Sequence, residues 1–211
     1  MYSFGVDGAL RWAYPTGMNI WSTSAIFENL VIFCSFDFHV YALNRDTGEL
    51  VWRTKVDNFA VSSPAVSKEG HVYIGTLAGT LYGLDVRTGD RIWSTQHKEH
   101  IYASAAIDDE QGILYIGDAS GTFTAYSTTD HVKKWEVVLD GAIRGSAAIG
   151  LTQQACLRTA SMLVMVLVYC MRCRQRDLFS GQLTCNVMMQ RRFVVLQHLL
   201  PLVTMVSLLQ R

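Results

Sequence analysis

Four tryptophans, Trp12, Trp52, Trp93 and Trp135, recur at spacings of 40, 41 and 42 residues, and each falls in a short alternating run. A unit of about 40 residues is too small to bury its own faces and is stable only when stacked on its neighbours. Three further series keep the same phase. The first comprises Thr23-Ser24-Ala25-Ile26, Ser63-Pro64-Ala65-Val66, Ser104-Ala105-Ala106-Ile107 and Ser146-Ala147-Ala148-Ile149. The second is Val31-Ile32-Phe33-Cys34, Val72-Tyr73-Ile74-Gly75 and Leu114-Tyr115-Ile116-Gly117, and the third is His39-Val40-Tyr41-Ala42-Leu43, Thr80-Leu81-Tyr82-Gly83-Leu84 and Thr122-Phe123-Thr124-Ala125-Tyr126.

Within one period, residues 61–66, 71–76, 80–84 and 91–94 are rich in β-branched and aromatic types, and Lys68-Glu69-Gly70, Ala78-Gly79 and Asp85-Val86-Arg87-Thr88-Gly89 separate them. This predicts four antiparallel strands per repeat. In the last turn Asp85 can accept the amides that follow, and Gly89 can take the positive φ that other residues resist. Residues 44–48, with Thr47 and Gly48, repeat that chemistry; Thr128-Thr129-Asp130 is a looser copy. Gly75 and Gly117 each stand at the second turn of a repeat, where hairpin geometry accounts for them better than a phosphate-binding loop. Four strands per 40 to 45 residues predict an all-β fold, a partial β-propeller of about three four-stranded blades followed by an atypical C-terminal tail. The recurrent indole then has a structural role, because on the outermost strand it can cover the adjoining blade and give its ring N–H to a carbonyl there.

The segments Asn44-Arg45-Asp46-Thr47-Gly48-Glu49-Leu50-Val51-Trp52 and Asp85-Val86-Arg87-Thr88-Gly89-Asp90-Arg91-Ile92-Trp93, followed by Ser63-Pro64-Ala65 and Tyr73-Ile74-Gly75 patterns, resemble the pyrrolo-quinoline-quinone-like repeat. The resemblance spans about residues 9–150. It implies a propeller, commonly of seven or eight blades, docked through a tryptophan motif. It does not fix the function, because similar repeats serve quinoprotein dehydrogenases, outer-membrane assembly lipoproteins, sensor domains and some acyl-activating enzymes.

The repeats place blades at about 18–53, 55–94 and 96–136, within a propeller region spanning 1–150; residues 8–14 supply the last strand of an earlier blade and 138–149 the first of a later one. Three and a fraction blades do not close a ring, so the sequence reads as a fragment of a larger propeller or a damaged gene model. Residues 151–211 read as a separate, aberrant tail. Residues 1–150 carry eleven Lys/Arg against seventeen Asp/Glu, a balance of −6, whereas the tail carries seven Arg against Asp177 alone. Lys vanishes from the tail, and Cys156, Cys170, Cys173 and Cys185 appear there. Such a composition suits a shifted reading frame or a degenerate blade. The run Asp177-Leu178-Phe179-Ser180-Gly181-Gln182-Leu183-Thr184-Cys185 matches the repeat's turn with Cys in place of Trp.

The overall charge of zero excludes a global basic surface for nucleic acid. The apolar runs 161–171 and 193–209 are short or marginal for a bilayer span, which makes membrane contact by the tail a secondary reading. Met1 to Tyr14 lacks the pattern of a secretory leader, and a lone Cys34 in the first 150 residues leaves the compartment open. Cys170 and Cys173 form a Cys-x-x-Cys without a second pair at zinc spacing. Asp108, Asp109 and Glu110 read as a solvated turn rather than a calcium site. His97 and His100 read as surface-loop residues.

No catalytic, metal or cofactor residue is assigned. The motif residues Trp12, Trp52, Trp93, Trp135, Thr47, Gly48, Asp85, Thr88, Gly89, Gly75 and Gly117 are structural. The expected function is a non-catalytic binding or scaffold module that meets protein partners through the propeller face or the missing blades. The alternative is a piece of a quinoprotein dehydrogenase, for which the resemblance implies a quinone, calcium and often adjacent cysteines, or of an acyl-activating enzyme's propeller region. No adjacent Cys pair occurs in the chain.

Overall fold

The computed structural model describes the backbone of residues 1–152, 161–169, 191–199 and 202–206, and the side-chain surroundings of residues 1–149. The fold is all-β, and no helix occurs among the described residues. β1 (Tyr2–Phe4) and β2 (Leu10–Ala13) form an antiparallel ribbon. Three four-stranded antiparallel blades follow. The first contains β3 (Ala25–Phe27), β4 (Leu30–Ser35), β5 (His39–Asn44) and β6 (Leu50–Lys55). The second contains β7 (Ala65–Val66), β8 (His71–Gly75), β9 (Thr80–Asp85) and β10 (Arg91–Gln96). The third contains β11 (Ala106–Asp108), β12 (Ile113–Gly117), β13 (Thr122–Ser127) and β14 (Lys133–Val138).

The register explains the tryptophan series. Trp52 faces Ala42, Trp93 faces Gly83 and Trp135 faces Ala125 across the last strand pair of each blade, so a small residue leaves room beside every indole. A β-bulge falls next to the same position in all three blades, turning the outermost strand where the indole must aim at its neighbour.

The middle strands are buried on both faces, and their alternation divides them between two seams. Val31, Phe33, Tyr41 and Leu43 pack toward Met1, Trp12, Tyr14 and Ile20. Ile32, Cys34, Val40 and Ala42 instead face Val72, Ile74, Tyr82 and Leu84 of the second blade. The same step repeats between the second and third blades, where Tyr73 and Leu81 meet Leu114, Ile116 and Tyr126. No blade has a core of its own: the apolar core lies in the seams.

A fifth sheet holds β15 (Ala142–Ile143), β16 (Ala148–Thr152), β17 (Ser161–Tyr169), β18 (Arg191–Leu199) and β19 (Leu202–Val206), with both β15 and β16 paired to β17. The sequence boundary at residue 150 falls inside β16, and strands continue past Leu151, where the turn rhythm breaks off. Continuous apolar runs form strands as readily as alternating ones, so loss of alternation does not end a sheet. Sequence reading also gave the first ribbon one strand, residues 8–14; Tyr2–Phe4 adds its partner. No helix among the described residues is long and apolar enough to cross a membrane. The Cys170–Cys173 pair and the turn-like match at 177–185 lie outside the described residues.

Candidate docking seams and loop face

Each blade turn is built by side chains that cap their own backbone. Asn44 Oδ1 accepts the amides of Asp46 and Thr47 at 2.9 and 3.0 Å, and Thr47 Oγ1 accepts that of Glu49 at 3.3 Å. Asp85 Oδ1 likewise accepts Arg87 and Thr88 at 2.8 and 2.9 Å, and Thr88 Oγ1 donates to Asp90 at 2.8 Å. Burial pushes the Asp85 carboxyl up, but the amide hydrogen bonds outweigh it and hold the group below its ordinary value. Gly48 and Gly89 close these turns at φ 76°.

The glycines also receive the indoles. A Cβ on Gly89 would come within 2.6 Å of the Trp52 ring, and one on Gly48 equally close to Trp12. With the ring seated there, Trp52 Nε1 donates to Val86 O at 2.8 Å and Trp12 Nε1 to Arg45 O at 2.9 Å, both in the following blade. Trp52 is buried and Trp12 partly so. The third turn differs. His131 occupies the glycine position at φ 56°, and Trp93 stacks on its ring at 5.1 Å and 21°. The carbonyl equivalent to those of Arg45 and Val86, Thr128 O, accepts instead from Tyr73 Oη at 3.3 Å. Trp135 lies against Tyr115 and Phe123 of its own blade.

A second line of contacts runs along the inner edge. Thr23 N donates to Ser63 Oγ at 2.9 Å, Ser63 N to Ser104 Oγ at 2.8 Å, and Ser104 N to Ser146 Oγ at 3.0 Å. The phased serine series noted in the sequence is therefore a ladder that joins successive blades. Gly75 and Gly117 stand beside it at a close approach: a Cβ would meet Ile101 Cγ2 at 2.1 Å and Ile143 Cγ2 at 2.4 Å, respectively. Ser62 Oγ accepts Gly75 N at 2.7 Å.

Two expectations need correction. His97 is buried, not on a surface loop: its Nδ1 lies 3.4 Å from Asp118 Oδ2, and Tyr126 Oη lies 3.2 Å from its Nε2. Its repeat counterparts are the apolar Val56 and Leu139, whose amides bond the same turn, so the histidine is a polar substitution in a seam. Sequence reading missed Asp118; the only signal was an acid where the earlier repeats have Ser35 and Thr76. Asp108 is also buried, with Oδ1 accepting Glu110 N and Gln111 N at 3.0 and 3.1 Å. A carboxylate capping its own turn escapes water by facing inward, which residue type alone does not disclose. Asp109 does reach solvent, and its Oδ1 accepts Lys68 N of the second blade at 3.0 Å.

The loops before the first strands carry a repeat position of their own. Trp21, Val61, Tyr102 and Arg144 share a repeat position there. Trp21 is 72% exposed and lies 4.8 Å from Phe36, which continues through Phe59 to Phe38. The Arg144 guanidinium sits 5.1 Å over the Tyr102 ring. Among the described residues, no three His, Cys, Asp or Glu side chains are grouped to hold a metal ion. Asp85, Asp108 and Asp118 each cap their own turns and do not come together as a calcium site of the quinoprotein kind.

The chain has relatives among known proteins. The chain is 29% identical over 122 residues to the outer membrane protein assembly factor BamB of Yersinia pestis, covering 52% of this chain and 30% of that protein. It is 28% identical over 118 residues to the quinoprotein alcohol dehydrogenase PedH of Pseudomonas putida, covering 50% and 20%. The crystal structure of BamB from Moraxella catarrhalis superposes with a TM-score of 0.63 at 20% identity, over 77% of this chain and 48% of that one. The chain thus spans less than a third of the curated relatives it matches. A family model described as outer membrane protein assembly factor BamB matches residues 6–166, passing the sequence boundary at 150. With the repeated turns, the indole seams and that match over most of its length, the chain belongs to this family of pyrrolo-quinoline-quinone-like repeat propellers.

Proposed function

We propose that the chain acts as a non-catalytic binding module, part of a propeller that engages a protein partner through the face formed by the loops preceding its first strands. The observation that carries this reading is the repeat position shared by Trp21, Val61, Tyr102 and Arg144. Packing between blades does not require a 72% exposed indole at that position, since Val61 serves the second blade. Exposed Trp and Arg on a rigid scaffold are the residue types that anchor protein interfaces. The relatives named as assembly factors for outer membrane proteins support a protein partner, and by that analogy the partner is a component of such assembly.

A second reading, a piece of a quinoprotein dehydrogenase, is favoured by the likeness to PedH. It requires a quinone and calcium, and among the described residues no three acidic, His or Cys side chains are gathered to hold a metal ion. The test is site-specific photocrosslinking in the intact protein. Crosslinkers at positions 21, 102 and 144 are expected to capture a common protein partner, whereas one at Lys55 on an outermost strand is not. Saturable binding of pyrrolo-quinoline quinone with calcium, accompanied by alcohol oxidation, would replace the binding-module reading with the dehydrogenase one.

A further inference from the structure

The seam between the second and third blades contains two histidines that converge on one phenol. His131 Nε2 lies 3.3 Å and His71 Nδ1 3.5 Å from Tyr73 Oη, and the two imidazoles are 5.5 Å apart. His71 opens β8 of the second blade, while His131 closes the β13–β14 turn of the third. The neighbouring seams show that this arrangement is not required by the fold. At the position of His131 they carry Gly48 and Gly89, on which Trp12 and Trp52 rest with their N–H groups bonded to a carbonyl. Only here does the turn hold an imidazole in the left-handed region, at φ 56°, a conformation that costs a side-chain-bearing residue free energy and that glycine adopts freely.

We infer that this seam is an acid-sensitive latch: on protonation of His131, which faces His71 across the seam, the two blades loosen along their outer edge, whereas the glycine-based seams stay closed. With both imidazoles uncharged, Tyr73 Oη donates to Thr128 O, and Trp93 lies flat on His131. Protonation places like charges 5.5 Å apart across a partly dehydrated contact. Burial, then the charge of His71, hold His131 below its ordinary value, while Asp130 opposes them. Asp85 faces His71 from β9 and attracts a positive charge there; Glu69 and Asp109 lie near Tyr73 from the β7–β8 and β11–β12 turns. A cation over the Trp93 face works against opening. Burial and the repulsion from His71 together outweigh the attraction of Asp130 at the His131 ring.

The sign follows from the depressed folded-state value. The contribution of His131 is present above the ordinary histidine value of 6.5 and is lost as pH falls through its lower folded value. The test is hydrogen exchange of the full chain, corrected for intrinsic rates, at pH 7.5 and 5.5. Amides of residues 91–96 and 127–132 are expected to lose protection at the lower pH, because the closed seam resists protonation more than the open one. Amides of residues 50–55 and 86–90, in the glycine-based seam, serve as the internal control. H131G is expected to abolish the pH response and H71Q to reduce it while leaving Trp93 stacked. Equal protection at both pH values in the unmodified chain, or protection that rises on acidification, would overturn the latch, as would an undiminished response in H71Q.

Discussion

Trp52 donates its ring N–H to the carbonyl of Val86 at 2.8 Å across the seam between the first two blades. The bond fixes where the indole lies, and therefore which residue beneath it must lack a side chain. That residue is Gly89, three positions after the acceptor, in a turn that Asp85 and Thr88 hold closed. One contact thus links three elements of the repeat signature: the tryptophan, the acidic turn and the glycine.

Truncating Trp52 removes a buried ring and leaves Val86 O without its donor. W52A is expected to destabilise the protein by about 3–5 kcal/mol, measured by denaturant unfolding. Trp12 makes the same bond but is only partly buried, so W12A is expected to cost less. Equal losses would mean that the hydrogen bond, and not burial, dominates the seam.

Gly75 tests close approach in place of turn geometry. Its φ is ordinary, but an added Cβ would lie 2.1 Å from Ile101 Cγ2, in the next blade's entry segment. G75A is expected to cost about 1–3 kcal/mol by overpacking. Combining it with I101A removes the clashing atom, so the double variant should lose less than the sum of the single ones. Strict additivity would count against the contact.

Much of this was legible because the repeat compares each position with itself. The phase of the tryptophans, the Asp/Thr/Gly turns and the small residues opposite each indole are visible as a pattern, and they specify blades and seams. The departures from the pattern were harder to read. His131 in the glycine position and His97 where Val56 and Leu139 stand are single substitutions, and nothing in a lone histidine says whether it faces water. Asp108 and Asp118 are buried by turns that satisfy a carboxylate internally, a tertiary outcome invisible to composition. Tyr2–Phe4 was missed because a three-residue strand is too short for alternation to show. Trp21 was overlooked since it lies outside the tryptophan period, although its alignment with Tyr102 and Arg144 is present in the sequence.

The serine ladder predicts a smaller effect. S104A leaves the amide of Ser63 without its acceptor at 2.8 Å, in a partly buried position. The expected loss is about 1–2 kcal/mol, with faster amide exchange at Ser63 as the specific sign. S104T keeps an oxygen at the same place and should retain most of the protection. If S104A leaves exchange at Ser63 unchanged, the ladder does not contribute to closing the seam.

Asp118 gives the chain a definable response to strong acid. Burial raises its carboxyl, but His97 Nδ1 at 3.4 Å and the hydrogen bonds from Ser120 and Thr122 outweigh burial and bring it below 3.8. A carboxyl whose folded value is depressed contributes stability that is present above its unfolded value and lost as pH falls through the folded one. The protein should therefore lose an increment of stability below about pH 4. Unfolding free energies followed across that range are expected to show a weaker acid dependence in D118N, because the amide cannot titrate. D118N should also be less stable at neutral pH, since it loses the charge facing His97 while the buried ring remains. Should the two proteins lose stability in parallel below pH 4, the acid sensitivity would belong to other carboxylates and the buried His97–Asp118 contact would carry none of it.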